Sequence, residues 1–226
     1  MIRSIDIVQR NFNVLQEKQK NVSSNTENIS TPGFKYQQLI QSTLPAGDML
    51  NFADGVRLDQ RAELGEFTPG NQIDEAFTYM QDGSLQQTGI PTDYAVMGEG
   101  FFAVDGPGGV LYTQNGRFTV DDIGQLVTAE GYTVQTTAEG MPTVTSFGVE
   151  PVGLASADNG YFTGAGGVVT DENSTVYQGF LETANIDMAD IMIEMLQISR
   201  EFEATQKVLQ ASNETLQKAT TEVGKV

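Results

Sequence analysis

Apolar residues recur every seven positions along the C-terminal part of the chain. The series is Met188, Met195, Phe202, Leu209, Leu216 and Val223. A seven-residue apolar repeat is typical of a helix that packs along another helix. We therefore predict one long helix over residues 185–223, with Asn185 as its N-cap and Gly224 at its end. Asp187 and Asp190 would lie near its N-terminus, where the helix dipole favours negative charge.

A second row of the same helix lies three residues after the first and is less apolar. It consists of Ile191, Ile198, Thr205, Ser212 and Ala219. Because the far half of this row is only partly apolar, we expect the helix to need several neighbours rather than one.

The N-terminal stretch carries a weaker heptad of its own. Its apolar members are Ile5, Val8, Phe12, Leu15, Val22 and Ile29. We predict a helix over residues 2–28, closed by the segment 30–33, because Pro32 disfavours helix in the residue before it. Two amphipathic helices at opposite ends of one chain are most simply explained as partners, paired as an antiparallel coiled coil.

Between the helices, short apolar runs alternate with turns that contain Gly or Asn. The predicted strands lie near 56–62, 76–80, 95–96, 100–104, 110–113, 117–120, 125–128, 132–135, 143–147, 161–163 and 176–181. Gly and Asn supply the positive φ angles that tight hairpin turns require, so the central strands predict an antiparallel meander. The predicted fold class is α+β, with a mostly antiparallel β body between the helices.

The expected domain organisation follows from this order of elements. Residues 1–34 and 182–226 would form one discontinuous helical domain. Residues 35–82 would be an extended connector with short strands, and residues 83–181 a β-rich outer domain.

Composition narrows the function classes. The 226 residues are 39% apolar, which indicates a folded chain, and they include no Cys and no His. The chain therefore lacks thiol nucleophiles, disulfides and the commonest general base and metal ligand, and we predict no enzyme activity. A formal net charge of −18 argues against nucleic acid and anionic membranes as partners. We find no apolar run of transmembrane length and no signal-peptide core.

Several local patterns imitate functional sites. Residues 98–100 and 106–109 are Gly-rich but lack the strand-to-helix context of a phosphate loop, so hairpin turns are the better interpretation. Residues 121–124 and 171–173 are acidic but lack the spacing of a calcium loop. Glu201 and Glu203 point about 200° apart on a helix, so they do not converge for acid–base chemistry. We predict no catalytic residue, no metal and no cofactor.

Three blocks carry a family resemblance. Residues 25–35 read NTENISTPGFK, residues 181–219 contain LETANIDMADIMIEML, and the body contains GSLQQTG, GEGFFAV, YTQNGRF and GQLVTAEGY. Together they resemble bacterial flagellar axial proteins, and the body blocks are most similar to the basal-body rod proteins. The segment between residues 135 and 176 is shorter than is typical of the distal rod protein, and both the proximal and the distal rod classes stay open.

The resemblance implies a structural rod subunit in the flagellar basal body. Such subunits stack helically into a hollow tube that transmits torque from motor to hook, and the flagellar type III apparatus exports them. The implied partners are further copies of the chain, other rod and hook proteins and the export apparatus.

The resemblance also assigns residues. The implied self-assembly interface is Ile5, Val8, Phe12, Leu15, Val22, Ile29, Met188, Ile191, Met195, Ile198, Phe202, Leu209, Leu216 and Val223. The family motif residues are Asn25, Asn28, Thr31, Pro32, Gly33, Phe34, Gly98, Gly100, Phe101 and Phe102. Met188, Met192 and Met195 could serve as an adaptable binding surface. We expect the terminal helices to order fully on assembly.

A second hypothesis comes from a different class of protein. The β body could bind a ligand at the cell surface while the helices merely dimerise the chain. Deletion separates the two hypotheses, because loss of a rod subunit abolishes swimming and loss of a binding module does not.

Overall fold

Helices lie at both ends of the chain, and strands occupy the sequence between them. The computed structural model describes residues 2–51, 62–147, 155–156, 160–164, 168–169 and 174–223. Helix α1 spans Ile2–Glu27 and helix α2 spans Met188–Val223. The strand pairings whose direction is defined are antiparallel. The predicted α+β class, with two terminal helices and a mostly antiparallel β body, is confirmed.

The strands are short, and seventeen of them are defined within the described ranges. In chain order they are β1 Gln37–Thr43, β2 Gly47–Asn51, β3 Ala62–Phe67, β4 Asn71–Thr78, β5 Leu85–Gln87, β6 Tyr94–Met97, β7 Gly100–Gly106, β8 Gly109–Thr113, β9 Thr119–Val120, β10 Leu126–Val127, β11 Thr133–Val134, β12 Val144–Ser146, β13 Ala155–Ser156, β14 Tyr161–Thr163, β15 Val168–Val169, β16 Thr175–Gln178 and β17 Phe180–Glu182.

The observed ends of the two helices can be compared with the ends predicted from the sequence. Helix α1 ends one residue before the predicted end, but α2 begins at Met188, three residues later than predicted. Asn185 is therefore not the N-cap; its side chain hydrogen-bonds to other segments, as described below. The predicted stop at Gly224, the acidic segment 171–173 and most of the predicted strand 56–62 lie outside the described residues.

The chain divides into two compact units. Unit 1 contains residues 1–24, 37–77 and 189–226, and unit 2 contains residues 25–36 and 78–188. In unit 1, β1 pairs with β4 and β2 pairs with β3 as two-stranded ribbons beside the helical segments. The Leu44 amide donates to the Gly70 carbonyl at 2.9 Å, near the ends of β1 and β4.

Unit 2 is built around one sheet with the order β13-β14-β8-β7-β11-β10-β9; β12 pairs with β7 beside this path, and β15 pairs with β12. The first half of β7 pairs with β12 and its second half pairs with β11. The predicted meander is therefore wrong at two connections, because β6 pairs with β16 rather than with β7, and β8 and β9 are not neighbours. The chain crosses after β8, and β9 joins the sheet through β10.

The core of unit 2 lies under the middle of this sheet. Its buried members are Tyr94, Val96, Phe102, Val104, Phe118, Leu126, Val134 and Tyr161. Phe102 is fully buried, and its ring meets Phe118 edge-on at 5.3 Å. The predicted single strand 176–181 is two strands, because Gly179 takes a φ of 78° between β16 and β17. Those strands pair with β6 and β5, respectively.

Candidate functional site

The two terminal helices touch along one face of each. The Phe12 and Phe202 rings meet edge-on with centroids 4.7 Å apart, and the Asn11 amide donates to the Thr205 hydroxyl at 3.0 Å. Further along α1, an open groove of about 190 Å³ is lined by Gln19, Val22, Met195, Ile198, Ser199 and Phe202. As α1 advances, its partners on α2 move back toward the start of α2. The helices therefore run in opposite directions where they touch.

The two predicted apolar rows of α2 differ in burial. The second row is packed, since Ile191 is 2% exposed and Ile198 is 5% exposed, and Thr205 is buried at its hydrogen bond with Asn11. The heptad row is more open. Met188, Met195 and Leu209 are exposed, Phe202 and Leu216 are half-buried, and the Val223 side chain lies outside the description. The first three positions of the row predicted to be weaker are thus more buried than the heptad row.

Helix α1 buries a row that the predicted heptad captured only in part. Leu15 and Val22 are buried as members of the heptad, whereas Ile5, Val8, Phe12 and Ile29 are half-buried. Val14 and Asn25 are also buried, and the pattern missed both of them. Asn11 and Asn25 stand fourteen residues apart, so they share one helix face. A heptad search that counts only apolar residues cannot detect polar members of such a row.

Large apolar side chains remain exposed on α2 outside the predicted rows. They are Met192 at 58%, Ile193 at 54%, Leu196 at 60% and Val208 at 53%. The sequence analysis noted Met192 as adaptable but missed the other three. A search for apolar positions that neither heptad row explains would have found them.

A buried ion pair joins distant segments of unit 2. Lys35 Nζ lies 2.8 Å from Glu182 Oε1, donates to the Gln81 carbonyl at 2.8 Å, and lies 3.8 Å from Asp82 Oδ1. The Gly83 amide also donates to Glu182 Oε1, at 2.7 Å. The side chains of Lys35 and Glu182 are almost completely buried, and Glu182 Oε2 has no hydrogen-bond partner among the described residues.

Asn185 completes this cluster. Its side-chain oxygen accepts from the Tyr36 amide at 2.7 Å, and its side-chain nitrogen donates to the carbonyls of Tyr79 and Gln81 at 2.8 and 2.9 Å. Its own backbone amide donates to the Phe34 carbonyl at 3.3 Å. Three segments, 33–36, 79–83 and 182–185, are thus held together, and we call this cluster the clasp.

Gly33 shows why the segment before Lys35 has its sequence. Its φ is +66°, and an added Cβ would lie 2.2 Å from the Gln114 carbonyl oxygen. A larger residue would therefore be strained and would also collide with backbone. The Gly33 amide donates to the Glu182 carbonyl at 2.9 Å, which ties the turn to the clasp.

Tyr161 of unit 2 has a raised pKa that follows from its packing. Burial, and then the hydrogen bond to Glu130, raise the pKa of Tyr161 above its ordinary value, so the phenol stays protonated and donates to Glu130 at 2.5 Å. Within the described residues, no three acidic side chains converge as metal ligands. No helix of the described chain has the length and hydropathy of a membrane span.

Two family models match the chain. One, described as "Flagellar hook protein FlgE/F/G D1 domain", matches residues 95–199, and the other, described as "Flagellar basal body rod FlgEFG protein C-terminal", matches residues 177–222. The chain belongs to the FlgF- and FlgG-like basal-body rod proteins. The resemblance inferred from the sequence is therefore confirmed.

Relatives of this family align with almost the whole chain. The flagellar basal-body rod protein FlgG of Buchnera aphidicola is 28% identical, over 96% of this chain and 98% of its own length. FlgG of Bacillus subtilis is 27% identical, over 96% and 97%. FlgF of Rhizobium meliloti is 25% identical, over 93% of each protein. The first alignment spans 256 positions, more than the 226 residues of this chain, so that relative carries residues that this chain lacks.

The family motif residues have identifiable places in unit 2. Thr31 donates to the Asn28 side chain at 3.1 Å, and Pro32, Gly33 and Phe34 are buried beside the clasp residue Lys35. Gly98 donates its amide to Asp82 at 3.0 Å, Gly100 is buried, and Phe102 belongs to the core. Phe101 packs edge-on against Phe147 and Phe162. In these contacts, the motif residues either pack in the interior of unit 2 or link separate segments of it.

Proposed function

We propose that copies of this chain polymerise helically into a hollow tube that carries torque from the flagellar motor to the hook. The protein is a structural rod subunit located in the flagellar basal body, and it is not an enzyme. Rod proteins of the basal body assemble with other rod and hook proteins. The proposal adds that the principal partner is a second copy of the same chain.

The exposure pattern of α2 carries this proposal. One row of the helix is buried, while Met192, Leu196 and Val208 are each more than half exposed. Burying an aliphatic side chain is worth about 1.5–3 kcal/mol, so these side chains are a substantial unused source of association energy. Such a surface suits association through the terminal helices. Family membership favours the polymerising rod subunit over a binding module that its helices dimerise.

The proposal assigns a different role to each segment of the chain. Residues 1–34 with 182–226 would form the assembly domain, in which α1 and α2 pair as an antiparallel coiled coil. Residues 35–82 would be the connector, and residues 83–181 the outer domain. The ring contact of Phe12 with Phe202 and the burial of Ile191 and Ile198 support the pairing. Family membership supports export through the flagellar type III apparatus, which would place the subunit outside the cytoplasm.

The experiment combines deletion with complementation. Cells without the gene should lack hooks and fail to swim, and the wild-type chain should restore both. Met192→Asp should fail to restore swimming, because it places a charge on the exposed apolar face of α2. Gln197→Asp adds the same charge at an exposed polar position of the same helix and should restore swimming.

The location of the protein in the cell provides a second test of the proposal. Labelled protein should be found in purified basal bodies by electron microscopy. Absence of the protein from basal bodies, or normal swimming after deletion, would contradict the proposal and favour the surface binding module.

A further inference from the structure

Asn11 of helix α1 contacts two other elements of unit 1. Its side-chain nitrogen donates to the Thr205 hydroxyl on α2 at 3.0 Å. Its side-chain oxygen accepts from the side-chain nitrogen of Asn71, the first residue of β4, at 2.9 Å. Two hydrogen bonds thus join a strand and both helices, and we call this chain of contacts the relay.

The turn between β3 and β4 lies against α1. It consists of residues 68–70, and a Cβ added at Gly70 would lie 3.2 Å from Arg10 Cδ and 3.9 Å from the Ile7 Cα. Ile7 and Asn11 are four residues apart, so they share one helix face. The ribbon formed by β1 and β4 is therefore attached to α1 at the point where α1 meets α2.

The relay restricts where the Asn11 side chain can point. Asn11 is only half-buried, so without Asn71 its amide could turn outward and bond to water. The two helices could then shift by a turn and lose no hydrogen bond. With Asn71 in place, the amide is held toward α2, and its nitrogen must find an acceptor there.

The neighbours of Thr205 on α2 are poor substitutes for it. The positions one turn away on the same face are Glu201, Val208 and Leu209. Opposite Val208 or Leu209, the amide nitrogen would be left unpaired beside an apolar side chain, which costs its desolvation. Opposite Glu201, a charged carboxylate would enter the site that now holds the buried Thr205 hydroxyl, and burying a charge costs more. Among these registers, the observed one satisfies the relay best.

Asn71 is not a residue that stability alone would favour. Its side-chain oxygen is buried and has no hydrogen-bond partner among the described residues. A buried acceptor without a partner lowers the free energy of unfolding. A polar residue that costs stability and fixes one register is a known device in paired helices.

We propose that Asn71 sets the register of α1 and α2 by acting through Asn11, so that the ribbon selects one alignment of the two terminal helices. Asn71 is thus a positioning residue. This inference rests on the pairing of α1 and α2 in the proposed assembly domain. It adds the residue that chooses among the alignments that apolar contacts allow.

The absence of cysteine from the sequence allows spin labels to be placed on the full-length chain. Ser23→Cys on α1 and Gln210→Cys on α2 are exposed positions, and in the observed register they lie about 25 Å apart along the helix axis. Double electron–electron resonance on the purified monomer measures this distance, and a shift by one turn changes it by about 5 Å. Local opening that speeds hydrogen exchange involves a minor population, so it leaves the dominant distance unchanged.

A second pair of labels reports on α2 alone. Gln197→Cys and Gln210→Cys both lie at exposed positions of this helix. Their distance does not depend on the register, so it should be the same in every variant. A change in it would show that the helix itself is lost.

We expect one dominant distance between the helices in the wild type. Asn71→Leu should add a second maximum displaced by about 5 Å, because the Asn11 amide is released. Thr205→Val removes the other end of the relay without altering the ribbon and should do the same. Asn71→Asp should keep the single distance, since Asn11 can turn its amide, donate to the carboxylate and accept from the Thr205 hydroxyl. Gln72→Leu is the matched control, because this exposed neighbour points to the other face of the ribbon.

A single unchanged distance in Asn71→Leu would overturn the proposal. The same second maximum in Gln72→Leu, or the lack of a dominant distance in the wild type, would also overturn it. If Asn71→Leu changes the distance within α2, the result for Thr205→Val decides instead. The rod function is tested separately by swimming and by location in basal bodies, so its failure and the failure of this proposal are distinguishable.

Discussion

Removing the charge of Lys35 alone should destabilise unit 2 far more than removing the charges of Lys35 and Glu182 together. Lys35 and Glu182 are both almost completely buried and lie 2.8 Å apart. In Lys35→Met, the Glu182 carboxylate stays buried without its cation, and breaking a buried pair from one side costs about 3–5 kcal/mol. In a chain of this size, that loss corresponds to a fall in Tm of roughly 6–20 °C.

The informative variant is Lys35→Met combined with Glu182→Gln. The second change removes the buried charge and still leaves an oxygen that can accept the Gly83 amide. A buried pair replaced on both sides by neutral groups is often close to neutral in stability. We therefore expect the double variant to be more stable than Lys35→Met, although it carries one more substitution. Gln81 loses its hydrogen bond from Lys35 in either case, so this loss cancels in the comparison.

Urea unfolding followed by the tyrosine near-UV circular dichroism measures this unit selectively. All seven tyrosines fall within residues 25–36 and 78–188, which are the residues of unit 2. If Glu182→Gln lowers the unfolding free energy of Lys35→Met as much as it lowers that of the wild type, the two changes are additive. Additivity would refute the view that the clasp is held by a buried ion pair.

Four further predictions concern other parts of the molecule. Gly33→Ala should cost about 1–3 kcal/mol more than Gly124→Ala in urea unfolding, because both have positive φ but a Cβ at Gly33 meets backbone and one at Gly124 meets open space; equal costs would contradict the clash. The raised pKa of Tyr161 means that its contribution to stability is complete below pH 10, the ordinary tyrosine value, and is lost as the pH rises further. The unfolding free energy should therefore fall less between pH about 9 and about 11 in Tyr161→Phe than in the wild type. Phe202→Asp should prevent assembly in sedimentation experiments while the tyrosine dichroism stays native, and loss of that signal would show that the helix belongs to the core of the body. In a verified monomer, amides of both terminal helices should exchange with deuterium faster than those of the β body and become protected on assembly; strong protection of both helices in the monomer would count against this expectation.

The helices and the central strands could be predicted from the sequence because each buries one regular face. Helix α1 ends at Glu27, one residue before the predicted end, and β14 has the predicted bounds at Tyr161–Thr163. The ribbon strand β1 was missed because it exposes residues on both faces, so it shows no alternation. The crossing between β8 and β9 was missed because hairpin turn signals report that a turn forms and say nothing about which strands become neighbours.

The clasp could not be predicted, and the reason is sequence separation. Lys35 and Glu182 are 147 positions apart, and Asn185 is 149 positions from Tyr36. Each looks locally like an ordinary polar residue, and Asn185 stands where an N-cap would be expected. The family motif included Gly33 and Phe34 but gave no physical reason for them. The reason is visible only when the three segments of the clasp are brought together.

Polar contacts as well as apolar ones join distant parts of this chain. Asn11 meets Thr205 between the helices, and Lys35 meets Glu182 in the clasp. Apolar rows alone would let two helices slide by a turn with little change in buried area, whereas a buried hydrogen bond is satisfied in one register and lost in the others. A subunit that repeats its contacts along a tube needs one register in every copy. This requirement accounts for Thr205, a polar residue in the second row of α2, at a position where an apolar pattern predicts Leu or Ile.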